Sequence, residues 1–80
     1  MDFGDVIKAI KNDHEKAFAR KGWNGRGMWI ALYIPDFEMT DGETDYEMQP
    51  FIVIKTAQDT CVPWLASQTD MLADDWEAVQ

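Results

Sequence analysis

Two short runs of this sequence are apolar at every position: residues 28–34 (MWIALYI) and residues 51–54 (FIVI). Both runs are rich in β-branched and aromatic residues, which favours strands. A strand with one face in water alternates apolar and polar residues, so these runs predict strands that are covered on both faces. Because one short helix covers only one face of a sheet, we expect the other face to pack on a second copy of the chain.

The N-terminal segment has the pattern of an amphipathic helix. Its apolar residues recur at spacings of three and four, which predicts a helix over residues 1–13 with Asp2 as its N-cap; they are Phe3, Val6, Ile7 and Ile10.

The rest of the chain predicts short strands joined by turns. Residues 17–20 and 28–34 flank a glycine-rich turn and predict one hairpin, and residues 51–56 and 60–62 predict a second. Residues 35–49 are acidic and predict an exposed loop. Residues 69–73 predict a short helical turn and residues 76–79 an edge strand. We therefore predict an α+β fold for a single domain, residues 1–80: a small antiparallel β-sheet of four to five strands packed around an N-terminal helix.

Composition excludes several classes of protein. The chain has 80 residues, 46% of them hydrophobic, which is too apolar for a disordered segment and too short for two domains. One cysteine and one histidine provide neither a disulfide nor a zinc site. The longest apolar run has seven residues, against about 20 for a membrane span, and the N-terminus has no apolar signal core. We therefore expect a cytoplasmic protein that does not bind membranes.

The charge is strongly acidic and uneven. The net charge is -8; residues 1–27 have six basic and four acidic groups, whereas residues 28–80 have one basic and eleven acidic groups. Because such a surface repels polyphosphates, we expect no general affinity for DNA or RNA. A small anionic ligand at one basic position is compatible with this balance.

The sequence contains no pattern typical of catalysis. His14 has no nucleophile near it in sequence and predicts a solvated loop residue. Cys61 lies in a predicted strand without a basic neighbour that would favour a reactive thiolate, so we expect it to be buried. The acidic segments lack the glycine and terminal glutamate spacing of an EF-hand. We therefore expect no catalytic residue, no metal ligand and no cofactor.

Residues 20–27 (RKGWNGRG) form the first candidate binding element. Arg20 and Lys21 can neutralise phosphate and Trp23 can stack on a base. Asn24 can form hydrogen bonds with polar groups of the ligand. The alternative is a hairpin in which Trp23 packs in the core and the basic groups lie in water. The element has no Walker lysine-serine pair and no βαβ context, which excludes a phosphate loop.

Residues 63–76 form the second candidate element, in which tryptophans bracket a polar segment that opens a helix. The candidate ligand contacts here are Trp64, Ser67, Gln68, Thr69 and Asp70. The alternative is structural: Ser67 caps the helix, Asp70 completes a capping box, and both tryptophans are core residues. We expect Trp76 to be core under either interpretation.

These two elements resemble the motifs of a family of small phage and prophage domains, the second type of Thoeris anti-defence protein. The early motif is RKGWNG at residues 20–25, and the longer late motif runs from Pro63-Trp64 through residues 67–73 to Asp75-Trp76. The similarity covers nearly the whole chain, and the acidic segment 35–49 is its least family-like part.

The resemblance implies a protein that is not an enzyme but a sponge. Such proteins bind glycocyclic ADP-ribose, a signal made by TIR enzymes of bacterial Thoeris immunity, and some also bind cyclic dinucleotides. The resemblance also implies a homotetramer with ligand pockets between subunits, in the cytoplasm of the bacterial host.

Two other functions are considered beside this one. The acidic balance of residues 28–80 is compatible with a phage inhibitor that mimics DNA and binds a host protein. An enzyme that degrades the signal is the third possibility.

Overall fold

A computed structural model describes residues 1–79 of the chain. It confirms the predicted α+β fold, with two helices, a five-stranded antiparallel sheet and a separate two-stranded sheet. In chain order the elements are α1 (Phe3–Asn12), β1 (Ala17–Arg20), β2 (Trp29–Tyr33), β3 (Glu38–Thr40), β4 (Asp45–Glu47), β5 (Phe51–Lys55), β6 (Cys61–Pro63), α2 (Gln68–Leu72) and β7 (Trp76–Val79).

Helix α1 forms where the sequence predicts it. The Asp2 carboxylate accepts a hydrogen bond from the Asp5 backbone N–H, and the Asp5 carboxylate accepts one from the Asp2 N–H, so the pair forms a reciprocal capping box. The apolar stripe lies against the sheet, with Val6 and Ile10 at most 1% exposed. This burial, rather than the propensity of a ten-residue segment, stabilises the helix.

The main sheet has the strand order β6-β5-β2-β1-β7, and every neighbouring pair is antiparallel. Both predicted hairpins, β1–β2 and β5–β6, are confirmed, and β7 is an edge strand as expected. The central pair, β2 and β5, runs in register from Trp29 opposite Lys55 to Tyr33 opposite Phe51. The two apolar runs of the sequence therefore lie side by side at the centre of the sheet.

The two faces of this sheet differ in their cover. The face under α1, here called the helix face, includes Phe18, Ile30 and Trp76, which are at most 2% exposed and pack with Val6 and Ile10. Side chains alternate along a strand, so the intervening residues point to the opposite face. That face, here called the open face, includes Trp29, Ala31, Tyr33, Phe51 and Val53, and no element in the described residues packs over it as α1 packs over the helix face.

The acidic segment 35–49 differs from the predicted loop. It contains a short hairpin, β3–β4, in which Met39 lies opposite Tyr46, and we call residues 34–50 the acidic arm. The Asp41 carboxylate accepts hydrogen bonds from the backbone N–H groups of Glu43 and Thr44, and Gly42 has φ 96°. A turn that needs positive φ is built around glycine, and this one turns the acidic chain back into a second strand.

The prediction that Cys61 is buried is wrong. Cys61 is exposed because β6 is an edge strand of three residues, which leaves one side of the strand uncovered. The preceding turn has Asp59 at φ 62°, and its carboxylate accepts a hydrogen bond of 2.7 Å from the Lys55 ammonium group.

The C-terminal elements follow the prediction with small shifts. Ser67 is the N-cap of α2, because its hydroxyl accepts a hydrogen bond from the Asp70 N–H, and the helix begins one residue earlier than predicted. Trp76 is 2% exposed, which confirms it as a core residue. No helix among residues 1–79 has the length and apolar character needed to cross a bilayer.

Candidate ligand-binding site

The two candidate elements of the sequence meet in the fold. Arg20 ends β1, and its guanidinium group donates to carboxylates from the end of the chain: Nη1 to Asp70 at 2.9 Å, and Nε to Asp75 at 2.8 Å. The side chains of Arg20 and Asp70 are 16% and 15% exposed. We call Arg20, Asp70 and Asp75 the Arg20 network; it joins residues that lie 50 and 55 positions apart in the sequence.

Asp75 also fixes the backbone that follows β1. Its carboxylate accepts a hydrogen bond of 2.9 Å from the Gly22 N–H, and its carbonyl accepts one of 3.1 Å from the Lys21 N–H. A side chain on Gly22 would meet this carboxylate, since a Cβ atom there would lie 2.9 Å from Asp75 Oδ2. The conformation of the turn that carries Trp23 and Asn24 therefore depends on Asp75.

The ionisation of the network follows from these contacts. Hydrogen bonds from Arg20 hold the pKa of Asp75 below its ordinary value, and the Gly22 N–H adds to this effect. Burial by itself would raise the pKa of Asp70, but hydrogen bonds from Arg20 and Trp23 outweigh burial and lower it. The same carboxylates raise the pKa of Arg20, with Asp75 as the largest cause. All three groups are thus charged at neutral pH, with a local sum of one negative charge.

An aromatic cluster lies beside this network: Phe3, Trp23, Trp64 and Trp76. Trp23 packs edge to face on Trp76 at 5.2 Å between ring centroids and on Trp64 at 6.5 Å. The Trp23 indole N–H donates to the Asp70 carboxylate at 3.2 Å, and the Trp76 indole N–H donates to the Asp70 carbonyl at 3.0 Å. Trp23 and Trp64 are half-buried, so each has a packed part and an accessible part.

The structure brings some of the predicted site residues into contact and leaves others in solvent. Arg20, Trp23 and Asp70 form one connected group, and Trp64 joins it through Trp23. Ser67 is occupied as the cap of α2, and the Asp70 carboxylate bonds Arg20 and Trp23 instead of completing a capping box. The other predicted contacts are exposed: Lys21, Asn24, Gln68 and Thr69.

Sequence reasoning placed Asp75 in the late motif but did not include it among the candidate ligand contacts. The pairing of Asp75 with Arg20 depends on β1 and β7 being neighbours, with Arg20 opposite Trp76. The available signal was the position of Asp75 directly before a strand predicted to be an edge strand. A prediction of which strand β7 pairs with would have placed Asp75 beside Arg20.

A concave surface lies on the open face, and none of the residues of the Arg20 network lines it. It encloses about 450 Å³ and is lined by aromatic and aliphatic side chains that include Trp29, Tyr33, Phe51, Val53 and Pro63. Tyr33 and Phe51 pack edge to face at 5.5 Å, and Tyr33 is 41% exposed. This surface coincides with the sheet face for which the sequence predicts a second copy of the chain.

Neither of the two residues considered for catalysis belongs to the Arg20 network. His14 is exposed, as expected for a solvated loop residue, and Cys61 is exposed and lines the concave surface of the open face. Among residues 1–79, no three His, Cys, Asp or Glu side chains are grouped in a way that could hold a metal ion.

Comparison with known proteins agrees with the motifs that meet at this site. Residues 1–79 match the family described as Thoeris anti-defense 2-like domain. A curated protein of Bacillus phage SP01, "Thoeris anti-defense 2", is 36% identical over 86 aligned positions, which cover 99% of this chain and 94% of the phage protein. The match spans both candidate elements and all described strands, so the chain belongs to the Thoeris anti-defense 2-like family.

Proposed function

We propose that this protein is a sponge that binds a cyclic nucleotide immune signal and withholds it from its effector without altering it chemically. The family match over residues 1–79 carries this proposal, because it supports an anti-defence role. The proposed ligand is glycocyclic ADP-ribose made by TIR enzymes, and cyclic dinucleotides are proposed as further ligands. The protein would bind them in the cytoplasm of the bacterial host.

The geometry around Trp23 supports a nucleotide as the ligand. Trp23 and Trp64 are half-buried aromatic side chains, and exposed polar groups of Asn24, Gln68 and Thr69 belong to the same two elements. Aromatic faces with nearby polar groups suit a base and a ribose. The indole of Trp23 is held by Asp70, which reduces the entropy lost when a ligand binds.

Affinity requires more than one subunit in this proposal. A sponge for a scarce signal needs a dissociation constant near the nanomolar range, which is about -12 kcal/mol. One stacked base contributes about 1–3 kcal/mol, so several such contacts must converge in a pocket that excludes water. An 80-residue chain with its aromatic cluster largely packed provides few of them, and pockets between the subunits of a homotetramer would provide the rest.

Calorimetry with glycocyclic ADP-ribose, followed by recovery of the ligand, tests the proposal. We expect binding to the folded protein, and release of the intact ligand when the complex is heated. Recovery of a cleaved ligand would instead identify an enzyme. No binding of glycocyclic ADP-ribose or of cyclic dinucleotides to folded protein would reject the sponge.

Replacement of Trp23 tests whether its ring contacts the ligand. Because Trp23 packs on Trp76 and Trp64, we expect Trp23→Ala to lower the melting temperature and also to weaken ligand binding by about 1–3 kcal/mol. Calorimetry well below the melting temperature separates the two effects. A folded variant with unchanged affinity would restrict Trp23 to the core.

The acidic arm supports an alternative function, an inhibitor that mimics DNA and binds a host protein. Residues 34–50 have six acidic and no basic groups, and β3 and β4 are exposed along their whole length. Salt-sensitive capture of a DNA-binding enzyme, together with no binding of cyclic nucleotides, would favour this alternative over the sponge.

A further inference from the structure

Arg20 forms ion pairs with two carboxylates of its own chain. Its Nε and Nη1 donate to Asp75 and Asp70 at 2.8 and 2.9 Å, and its Nη2 lies 3.5 Å from Asp75. Both carboxylates also bind the following turn, because Asp70 accepts from the Trp23 indole and Asp75 accepts from the Gly22 N–H. Arg20 is therefore the centre of a network that fixes the candidate binding element.

A phosphate at Arg20 would disturb this network. The ligand would have to displace a carboxylate or approach a cluster with one net negative charge. Displacement would leave Asp70, whose side chain is 15% exposed, without its ionic partner, and an unpaired charge at a poorly solvated position is costly. Arg20 is for this reason a poor phosphate ligand.

Two other cations lie in the connection between β1 and β2. Lys21 and Arg26 are both exposed, and neither forms an ion pair with any side chain in residues 1–79. They flank Trp23 and Asn24 in the sequence. A phosphate can reach either cation without displacing a carboxylate.

We propose that Arg20, held by Asp70 and Asp75, is a positioning residue for the Trp23 turn, and that Arg26 and Lys21 bind the phosphates of the ligand. The phosphate part rests on the proposed function, whereas the positioning part concerns the free protein. In this proposal Arg26 contacts the ligand directly. Arg20 acts indirectly, because it orients the carboxylates that bind the Trp23 indole and the Gly22 N–H.

Nuclear magnetic resonance of arginine side chains tests the assignment directly, since the chain has only two arginines. In the free protein we expect the Arg20 Nε–H to exchange slowly with water and the Arg26 Nε–H to exchange fast. In Asp75→Asn the Arg20 signal should become fast-exchanging, whereas Asp74→Asn, a change in the exposed neighbouring acid, should leave it slow. Fast exchange of Arg20 in the wild type would overturn the positioning role.

The same spectra with glycocyclic ADP-ribose test the phosphate role. We expect the Arg26 signal to shift and the Arg20 signal to keep its position. A shift of Arg20 alone, or of neither arginine while calorimetry shows binding, would overturn the assignment.

Variants provide a second readout through the dependence of affinity on salt. Lys21→Gln and Arg26→Gln should each weaken binding about 10- to 100-fold and reduce its salt dependence, because each removes a charge-assisted contact. Arg20→Gln should lower the melting temperature and leave the salt dependence of the remaining affinity unchanged. Lys11→Gln, an exposed lysine of α1, is the control for loss of a positive charge.

Arg20→Lys separates geometry from charge. Lysine keeps the positive charge but has no planar fork to bridge two carboxylates, so a positioning role predicts a loss of stability close to that of Arg20→Gln. Retained stability in Arg20→Lys, or loss of the salt dependence in Arg20→Gln, would overturn the proposal. If wild-type protein binds no cyclic nucleotide, the proposed function and the phosphate role fail together, while the exchange of the Arg20 Nε–H still decides the positioning role.

Discussion

Asp75 joins three parts of the chain through a single residue: the Arg20 side chain, the Gly22 backbone and the start of β7. An exposed ion pair usually contributes little to stability, because water screens both charges. The Arg20–Asp75 ion pair is partly shielded from water and involves two guanidinium nitrogens. The same carboxylate also accepts a hydrogen bond from the Gly22 N–H, so hydrogen-bond geometry adds to the attraction between the charges.

The first prediction concerns acid stability. The pKa values of Asp70 and Asp75 are lowered in the folded chain, whereas an aspartate in the unfolded chain has a pKa of about 3.9. The contribution of these two carboxylates to the free energy of unfolding is therefore fully present above the unfolded pKa, and it is lost as the pH falls through the lowered pKa values. We expect Asp75→Asn to be less stable than wild type at pH 7 and to lose less of its stability below about pH 4.

Urea unfolding as a function of pH measures this effect, with Asp74→Asn as the matched control. The control should keep the acid sensitivity of the wild type, because the Asp74 carboxylate forms none of the network hydrogen bonds. Asp41 and Asp59 also have lowered pKa values, from backbone N–H groups and from Lys55 respectively, so Asp75→Asn should retain part of the acid sensitivity. Parallel pH profiles for wild type and Asp75→Asn would contradict the prediction.

The second prediction concerns Gly22. A Cβ atom at this position would lie 2.9 Å from Asp75 Oδ2 and 3.3 Å from Arg20 Nη2, and both groups are held by hydrogen bonds to each other. We expect Gly22→Ala to destabilise the protein by about 1–3 kcal/mol through overpacking. Denaturant unfolding in an Asp75→Ala background provides the check, since the cost should largely disappear when the carboxylate is absent. An equal cost in both backgrounds would show that the strain has another source.

Local sequence patterns were sufficient to predict those helices and strands that depend on residues close together in the sequence. The spacing of Phe3, Val6 and Ile10 and the cap at Asp2 predicted α1, and the polar residues that follow Ser67 predicted α2 to within one residue of its start. The same reasoning failed for Cys61, whose exposure depends on β6 lying at the edge of the sheet. It also failed for the acidic arm, because β3 and β4 each have a single apolar residue, Met39 or Tyr46, between acidic or polar neighbours.

The candidate site shows the same division. The early and late motifs were identified from sequence, and their contact through Arg20, Trp23 and Asp70 is present in the fold. The occupation of Arg20 by two carboxylates was not predictable, since Asp75 reaches it only because β7 pairs with β1. Sequence reasoning therefore identified the segments of the site, but not which of its charges are already paired.

The third prediction concerns the acidic arm. Tyr33 and Phe51 are a paired position of β2 and β5, so a two-residue Asn-Gly turn in place of residues 34–50 can close the same hairpin. We expect this variant to keep the five-stranded sheet, with a free energy of unfolding within about 1 kcal/mol of wild type, since β3 and β4 pair only with each other and a shorter loop closes at a lower entropic cost.

Circular dichroism and denaturant unfolding measure the fold of the armless variant, and calorimetry measures ligand binding. The change removes six acidic residues and no basic one, so the net charge goes from -8 to -2. Retained binding of the cyclic nucleotide would assign the site to the sheet and α2. An unfolded variant would show that the arm supports the core, although within residues 1–79 no arm residue is among those that pack on the core cluster.

At the scale of the whole molecule, the main question is what covers the open face. The concave surface on this face has a volume of about 450 Å³ and is lined by apolar side chains that include Trp29, Tyr33, Phe51 and Val53, although the chain has a net charge of -8. An apolar face of this kind on the central strands is typical of a protein interface. A two-fold contact would bring the same face of a second copy against it, which places both apolar runs of the sequence in buried surroundings.

The last prediction tests this assembly with a pair of neighbouring substitutions. Val53 lies on the open face and Ile52 on the helix face, where Ile52 packs against the core. We expect wild-type protein to be a homo-oligomer by light scattering, and Val53→Asp to be folded but to form a smaller assembly, because a buried unpaired carboxylate would oppose the contact without touching the core. Ile52→Asp should instead unfold the chain.

If the ligand pockets lie between subunits, Val53→Asp will also bind the cyclic nucleotide more weakly in calorimetry although Trp23 and Arg26 are unchanged. A monomeric wild type, or an oligomer that tolerates Val53→Asp, would show that the open face is not the subunit interface. In a monomeric wild type, the affinity of the sponge would also have to come from one chain.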